Sequence, residues 1–230
     1  MVSKINWIYK PFPYAIIDNY LSDEEFNDLN AELDNTKNQL QCSFSTALEV
    51  KSIYKDNAMK DKVKNLVMRM SSDYIKQIFN QIIGELDIIS MREVKNYAGY
   101  SPYHVTKNNG YLGSHIDHSS IEADSYKHIA NSIFYASKSW EKDWGGETIF
   151  FSKNGFFQKV KIDPIPNRLI LFIHTANSFH GVERYYSNKR IERRTFYHDY
   201  YVEKKDLNTF LKNLKTKTSF QFIHIEHDTT

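Results

Sequence analysis

The chain holds 230 residues, 41% hydrophobic and 25% charged, the make-up of one ordinary soluble globular domain. Its formal net charge of +2 is too near neutral for a nucleic-acid surface, which calls for a basic face. One cysteine, Cys42, excludes an intrachain disulfide framework and a thiolate zinc site. A reducing compartment is the simplest reading. No apolar run is long enough for a signal peptide or for the roughly 20 residues of a membrane span, so a cytoplasmic location without membrane partners is expected.

Aromatic residues make up 15% of the chain, which favours a β-rich core. Pro11–Asp18 reads as a short strand behind proline punctuation. Leu21–Leu33 reads as a helix, with Ser22 as N-cap and Glu25 closing a capping box. Asp56–Gln81 carries Val63, Leu66, Val67, Met70, Tyr74, Ile75, Ile78 and Phe79 at helical spacing, so a second N-terminal helix is expected. The pattern changes near Leu86. Met91–Tyr97 looks strand-like, and Tyr103–Thr106, Lys107–Gly110 and Tyr111–His115 look like strand, turn and strand, with Asn-Gly as a hairpin signal. Further strands are expected at Asn131–Ala136, Gly145–Phe151, Leu169–Ile173 and Thr195–Val202. Lys204–Leu214 reads as a final helix and Phe220–Ile225 as a final strand. Many short strands separated by turn signals indicate a sandwich or barrel.

Within this frame His115 and Asp117 stand one residue apart, and His180 follows in Asn177-Ser-Phe-His-Gly-Val182. Residues i and i+2 of a strand share a face. Two imidazoles and a carboxylate are the ligand set of a facial triad, which holds Fe(II) and leaves positions open for exogenous ligands. Among nine histidines a lone His-x-Asp carries little weight; its context carries more. The basic cluster Lys189-Arg-Ile-Glu-Arg-Arg194 enters the last core strand, where an arginine can grip a carboxylate through two parallel hydrogen bonds. Alternation sets Arg193, Thr195 and Tyr197 on one face and Arg194 on the other; Lys189, Arg190 and Arg194 remain rival anchors. Tyr103 and Tyr135 also read as core tyrosines, Gly145 and Gly146 as backbone devices, Trp140 and Trp144 as packing, and Glu147 as either a pocket wall or a solvent-facing charge.

Taken in order, these blocks resemble the Fe(II)- and 2-oxoglutarate-dependent dioxygenases, in particular the prolyl 4-hydroxylase-like branch. His115-Ile-Asp117 is similar to the family's His-x-Asp. Ser132–Trp140 with Trp144-Gly-Gly-Glu147 is similar to its Tyr-Leu-Asn and Gly-Gly-Glu block. Pro166–Phe172 leading to Phe179-His-Gly-Val182 matches its distal-histidine block, and Arg193-Arg-Thr195 its Arg-x-Ser/Thr. The resemblance spans Met91–Val202 and extends to the opening Phe12–Leu21. It departs at Ala136-Ser137, in place of the usual Leu-Asn, and at a longer loop around Tyr185–Lys189.

The resemblance implies a mainly β (α+β) fold, a double-stranded β-helix or jelly roll flanked by N-terminal helices. One domain over 1–230 is expected: a strand and supporting helices in 1–90, the jelly-roll core in 91–203 and a helix/strand extension in 204–230. It implies Fe(II) on His115, Asp117 and His180. It also implies 2-oxoglutarate as co-substrate on Arg193, Thr195, Tyr135 and Tyr103, with O2, and ascorbate as reductant. The activity implied is hydroxylation of an unactivated C–H bond coupled to decarboxylation of 2-oxoglutarate to succinate and CO2. Asp117 stands where related halogenases carry a small residue, which favours hydroxylation. The substrate is a prolyl or other peptidyl residue, or a small metabolite. Two alternatives stay open: a cupin-like metalloenzyme that does not use 2-oxoglutarate, and a non-catalytic jelly-roll binding module.

Overall fold

The computed structural model describes residues 5–35, 40–55, 60–94, 101–117, 120–121, 125–152, 154–189 and 191–217. Strand β1 (Tyr14–Ile17) leads into helix α1 (Asp23–Asn35). The expected capping box is formed: the Ser22 amide donates to Glu25 Oε2 at 2.8 Å, and the Glu25 amide donates to Ser22 Oγ at 3.2 Å. Each side chain satisfies a donor that the first helical turn leaves open. The predicted second helix is two, α2 (Asp61–Met70) and α3 (Asp73–Ile83); residues 56–59 lie outside the described set. The break falls at Ser71-Ser72. Ser71 Oγ donates back to the Val67 carbonyl at 3.0 Å and Ser72 Oγ to that of Arg69 at 2.7 Å. Such local bonds compete with the helical ladder, and Ser72 takes extended geometry.

Between α1 and α2 lies a hairpin that no sequence pattern marks, β2 (Leu40–Ser45) and β3 (Glu49–Tyr54). Strand β3 is half-buried along its whole length, so it lacks the clean alternation that marks a strand with one wet face. It also changes the topology. Strands β5 (Tyr103–Thr106) and β6 (Tyr111–His115) are joined by the expected turn, with the Gly110 amide donating to the Lys107 carbonyl at 2.8 Å. They do not pair as a hairpin, because β3 inserts between them and pairs with both. The strand expected at Met91–Tyr97 is also revised. The strand is the two-residue β4 (Ile89–Ser90), Met91–Val94 form a turn, and 95–97 lie outside the described residues.

The remaining strands are β7 (Ser120–Ile121), β8 (Tyr126–Tyr135), β9 (Thr148–Phe151), β10 (Gln158–Ile162), β11 (Leu169–Ile173), β12 (His180–Val182) and β13 (Arg193–Glu203). All thirteen form one antiparallel sheet in the order β1-β11-β8-β13-β5-β3-β6-β12-β9-β10, with β2, β4 and β7 attached at the side. The sheet curls into the expected mainly β jelly roll. Its two faces follow from strand alternation. On the outer face Phe134, Phe196 and Tyr200 pack with Leu66, Val67, Met70, Ile75 and Phe79 of the helices into one core. Each such fully buried side chain contributes roughly 1.5–3 kcal/mol. The Tyr200 hydroxyl donates to the Met70 carbonyl at 2.6 Å, tying sheet to helix. On the inner face a smaller cluster of Phe12, Tyr14, Tyr135, Phe150, Ile170 and Phe172 lines the roll.

Helix α4 (Leu207–Lys217) follows a short 3-10 turn at Lys204–Asp206, as expected for this stretch. Phe210 and Leu214 bury against the helical layer, and Asn213 Nδ2 donates to the Ile83 carbonyl at 2.7 Å at the end of α3. The strand expected at Phe220–Ile225 lies outside the described residues. Among the described residues no helix is long and apolar enough to cross a membrane.

Candidate active site

His115 ends β6 and His180 opens β12, directly opposite in the antiparallel register. The strand stops at His115, so Asp117 reaches the pair from the loop rather than from the same strand. Asp117 Oδ1 lies 3.3 Å from His115 Nε2, and its Oδ2 lies 3.4 Å from His180 Nε2. One ligand atom from each of the three falls within 4.8 Å of the others.

The second nitrogen of each ring sets its tautomer. His115 Nδ1 lies 2.9 Å from the Gly113 carbonyl and His180 Nδ1 3.0 Å from that of Ser178. A carbonyl only accepts, so each Nδ1 carries a hydrogen and each Nε2 faces the cluster, where its lone pair ligates once the ring is neutral. Backbone orientation of this kind is the usual support of a histidine ligand. Asn131, buried on β8, donates from Nδ2 to Asp117 Oδ2 at 2.6 Å.

The charges follow from burial and mutual attraction. Burial alone would raise the Asp117 carboxyl, but His180, His115 and His128 together hold it well below the usual range. Burial drives His180 down to about 4 against the pull of Asp117. At His115 burial also opposes the charge, yet the hydrogen bond and charge of Asp117 outweigh it and raise the pKa. The donor set is two imidazole nitrogens and an ionised carboxylate, which suits a divalent transition metal. Asp117 also neighbours His128 and His174. Those rings stack at 4.3 Å with 20° between planes, so their in-plane lone pairs run side by side rather than converging, and the His115 group is the better cage.

Deeper in the roll Arg193 begins β13 and points inward, fully buried. Its Nε donates to the Gly146 carbonyl at 2.6 Å and its Nη2 to Thr148 Oγ1 at 3.3 Å. The guanidinium lies 5.3 Å from the centre of the Tyr135 ring, and the Tyr135 hydroxyl donates to Thr148 Oγ1 at 2.6 Å. No carboxylate among the described residues pairs with Arg193 within 4 Å, and burial lowers its pKa. A backbone device makes the approach possible. Gly146 sits at φ +79°, and a Cβ there would lie 2.8 Å from Tyr185 Cδ2 and 3.1 Å from Arg193 Cδ.

Thr195 faces the same interior, opposite Tyr135. Of the rival anchors, Arg194 turns outward to Asp34 of α1 at 2.7 Å. Lys189 pairs with Glu141 at the surface, and Arg190 lies outside the described residues. Tyr103 is a correction: it pairs in register with Phe196 and stacks on it at 4.8 Å, which sets it in the outer, helix-facing core. The residues that β5 turns inward are His104, opposite Thr195, and Thr106, opposite Arg193. Trp140 Nε1 donates to the Gly145 carbonyl at 2.8 Å, and Trp144 is buried edge-on to Tyr185, so both serve packing. Thr148 and Asn131 were not singled out from sequence. Each belongs to an alternating inward set, Thr148 with Phe150 and Asn131 with Ile133 and Tyr135, and that alternation was the available signal.

Residues 98–198, somewhat under half of the chain, match the 2OG-Fe(II) oxygenase superfamily. No curated protein sequence matches the chain. Solved structures do. A prolyl-4-hydroxylase from Pseudomonas putida aligns over 83% of this chain and 92% of its own at 14% identity and TM-score 0.57. The viral collagen prolyl hydroxylase of Paramecium Bursaria Chlorella virus-1, in complex with 2-oxoglutarate, aligns over 85% and 99% at 16% identity and TM-score 0.53. HygX from Streptomyces hygroscopicus, with nickel and 2-oxoglutarate bound, aligns over 83% of each chain at 10% identity and TM-score 0.53. The fold is therefore that of the 2-oxoglutarate oxygenases. The likeness to the Fe(II)- and 2-oxoglutarate-dependent dioxygenases is borne out over the matched segment, and the prolyl hydroxylases share the fold.

Proposed function

We propose that this chain is a 2-oxoglutarate-dependent oxygenase that hydroxylates an unactivated C–H bond, using Fe(II) held by His115, Asp117 and His180. The observation that carries the reading is the buried Arg193 guanidinium, without a carboxylate partner among the described residues, on the same inner wall as the His-Asp-His cluster. A buried lone cation is costly unless an anion joins it, and a dicarboxylate that reaches the metal supplies one. With dioxygen as the oxidant, bound iron and the 2-oxo acid would supply the oxidising chemistry, one oxygen atom passing to succinate with loss of CO2 and the other to the substrate carbon. The chain's part is positional. His115 and His180 present neutral Nε2 atoms fixed by their backbone bonds, and Asp117 supplies the negative charge. Arg193 orients the distal carboxylate with Thr148, Tyr135 and Thr195 around it.

The substrate is a peptidyl residue, prolyl in the simplest case, or a small metabolite. Both classes occur among structures of this fold: a Trichoplax adhaerens prolyl hydroxylase is in complex with a peptide fragment and HygX with hygromycin B. The test is anaerobic titration with Fe(II) and 2-oxoglutarate. The expected result is the weak visible charge-transfer band of the chelate, absent in His180→Ala. Metal binding without that band would sink the 2-oxoglutarate reading.

A further inference from the structure

We infer that His104 is a further binding residue of this pocket, whose Nε2–H donates a hydrogen bond to an oxygen of the bound 2-oxo dicarboxylate. The inference rests on the function proposed above, and three observations carry it. The register sets His104 on the inner wall, between Thr195 of β13 and Ile53 of β3. Asn131, which bonds Asp117, pairs with Asp199 of β13, and Thr195 lies between Asp199 and Arg193, ~6.7 Å along the strand from Arg193, so His104 stands beside the space between the guanidinium and the metal cluster. The ring is braced by Tyr197, 4.5 Å between centres. Finally, Nε2 is sealed from solvent and meets no hydrogen-bond partner in the protein. A buried donor left unpaired costs about 1–3 kcal/mol and marks a place where a ligand is expected to complete the bonding.

The ionisation state agrees. Burial lowers the imidazole to about 3, with Lys51 and Arg193 pushing the same way and Asp117 opposing. His104 is therefore neutral at physiological pH and carries one N–H. Every polar atom of 2-oxoglutarate is an acceptor, so the imidazole serves only as the Nε2–H tautomer. The insertion of β3 between β5 and β6 closes the wall behind this ring.

Two variants and one spectroscopic measurement test this. His104→Phe keeps an aromatic ring and removes the donor; His104→Gln keeps an N–H near the position of Nε2. Calorimetric titration of Mn(II)-loaded protein with 2-oxoglutarate is expected to show binding about tenfold weaker for His104→Phe, the worth of one hydrogen bond. His104→Gln should stay within about threefold of wild type, and Mn(II) affinity itself should be unchanged in both. Independently of the variants, long-range 1H–15N correlation on Zn(II)-loaded wild-type protein should show a protonated Nε2 at His104 whose signal moves when 2-oxoglutarate is added. Undiminished binding by folded His104→Phe, or an unprotonated Nε2 in the complex, overturns the inference and leaves the proposed function standing. Failure of wild-type protein to bind 2-oxoglutarate sinks both.

Discussion

Replacing Arg193 by methionine separates two effects that are usually confounded. Methionine is close in length and carries no charge. In the ligand-free protein the substitution removes a buried cation that no carboxylate among the described residues neutralises. Exchanging a buried charge for an apolar side chain of similar volume is neutral or stabilising by about 1–4 kcal/mol. Against this, the Gly146 carbonyl loses its 2.6 Å donor, a cost of about 1–3 kcal/mol. Thr148 Oγ1 keeps the Tyr135 hydroxyl. The two terms nearly cancel, so the net change should stay within about 2 kcal/mol, a shift in Tm of under ~8 °C for a chain of this size. Co-substrate binding behaves differently. Two charge-assisted hydrogen bonds to a carboxylate contribute at least about 3 kcal/mol, so 2-oxoglutarate should bind at least ~100-fold more weakly. Arg194→Met is the matched control. It breaks the contact with Asp34, should cost about 1 kcal/mol of stability, and should leave 2-oxoglutarate affinity unchanged. Calorimetry on Mn(II)-loaded protein and thermal melts of the apo form read both quantities. If Arg193→Met binds 2-oxoglutarate within threefold of wild type, or Arg194→Met loses it, the assignment of the inner wall is wrong.

Three further outcomes are expected. Metal binding must displace the proton from His115, whose pKa is raised, whereas His180 titrates near 4. Mn(II) affinity should therefore fall with a slope of one proton per metal once the pH is below the raised His115 pKa, and keep that slope until His180 begins to protonate; a two-proton slope well above the His180 range in an EPR titration would reject this. In Gly181→Ala the new Cβ would lie 2.6 Å from the Leu112 carbonyl oxygen. Forcing β12 off β6 should cost about 1–3 kcal/mol and weaken Mn(II) binding about tenfold through displacement of His180. Unchanged metal affinity in the folded variant would contradict that coupling. Tyr200→Phe removes the hydroxyl that bonds the Met70 carbonyl and meets Ser132 Oγ at 3.0 Å; it should destabilise by about 1–3 kcal/mol without touching 2-oxoglutarate affinity, and a melt paired with one titration checks both halves.

Much of the architecture was legible because it rests on local rules. The capping box at Ser22 and Glu25, the buried apolar run Leu169–Ile173, the turn at Lys107–Gly110 and the alternation that points Arg193 inward are all written in short stretches of chain. What escaped depends on partners far away in sequence. Strand β3 is half-buried between β5 and β6 and has no one-sided pattern to betray it. The break between α2 and α3 hinges on two serine hydroxyls turning back on the helix. The family resemblance puts Tyr103 in the pocket, whereas the pairing of Arg193 with Thr106 and Thr195 with His104 decides the parity of β5. A one-residue difference in register moves a side chain to the opposite face, and only the neighbouring strand settles which one enters.

The antiparallel ladder of β13 has a consequence for how this scaffold tolerates change. Position along the strand is set by its partners: Arg193 against Thr106 and Thr195 against Tyr135. The loop that leads into it, around Tyr185–Lys189, is stitched separately to the 107–110 turn, with Asn109 donating to the Tyr185 carbonyl and Tyr185 to that of Gly110. Residues added or lost in that loop are absorbed before the ladder begins, so a change in its length leaves Arg193 facing inward. A single residue added inside the ladder would instead exchange inner for outer side chains from that point on, sending cations and hydroxyls into the helical layer and phenyl rings into the pocket. Length variation is harmless on one side of Arg193 and ruinous on the other.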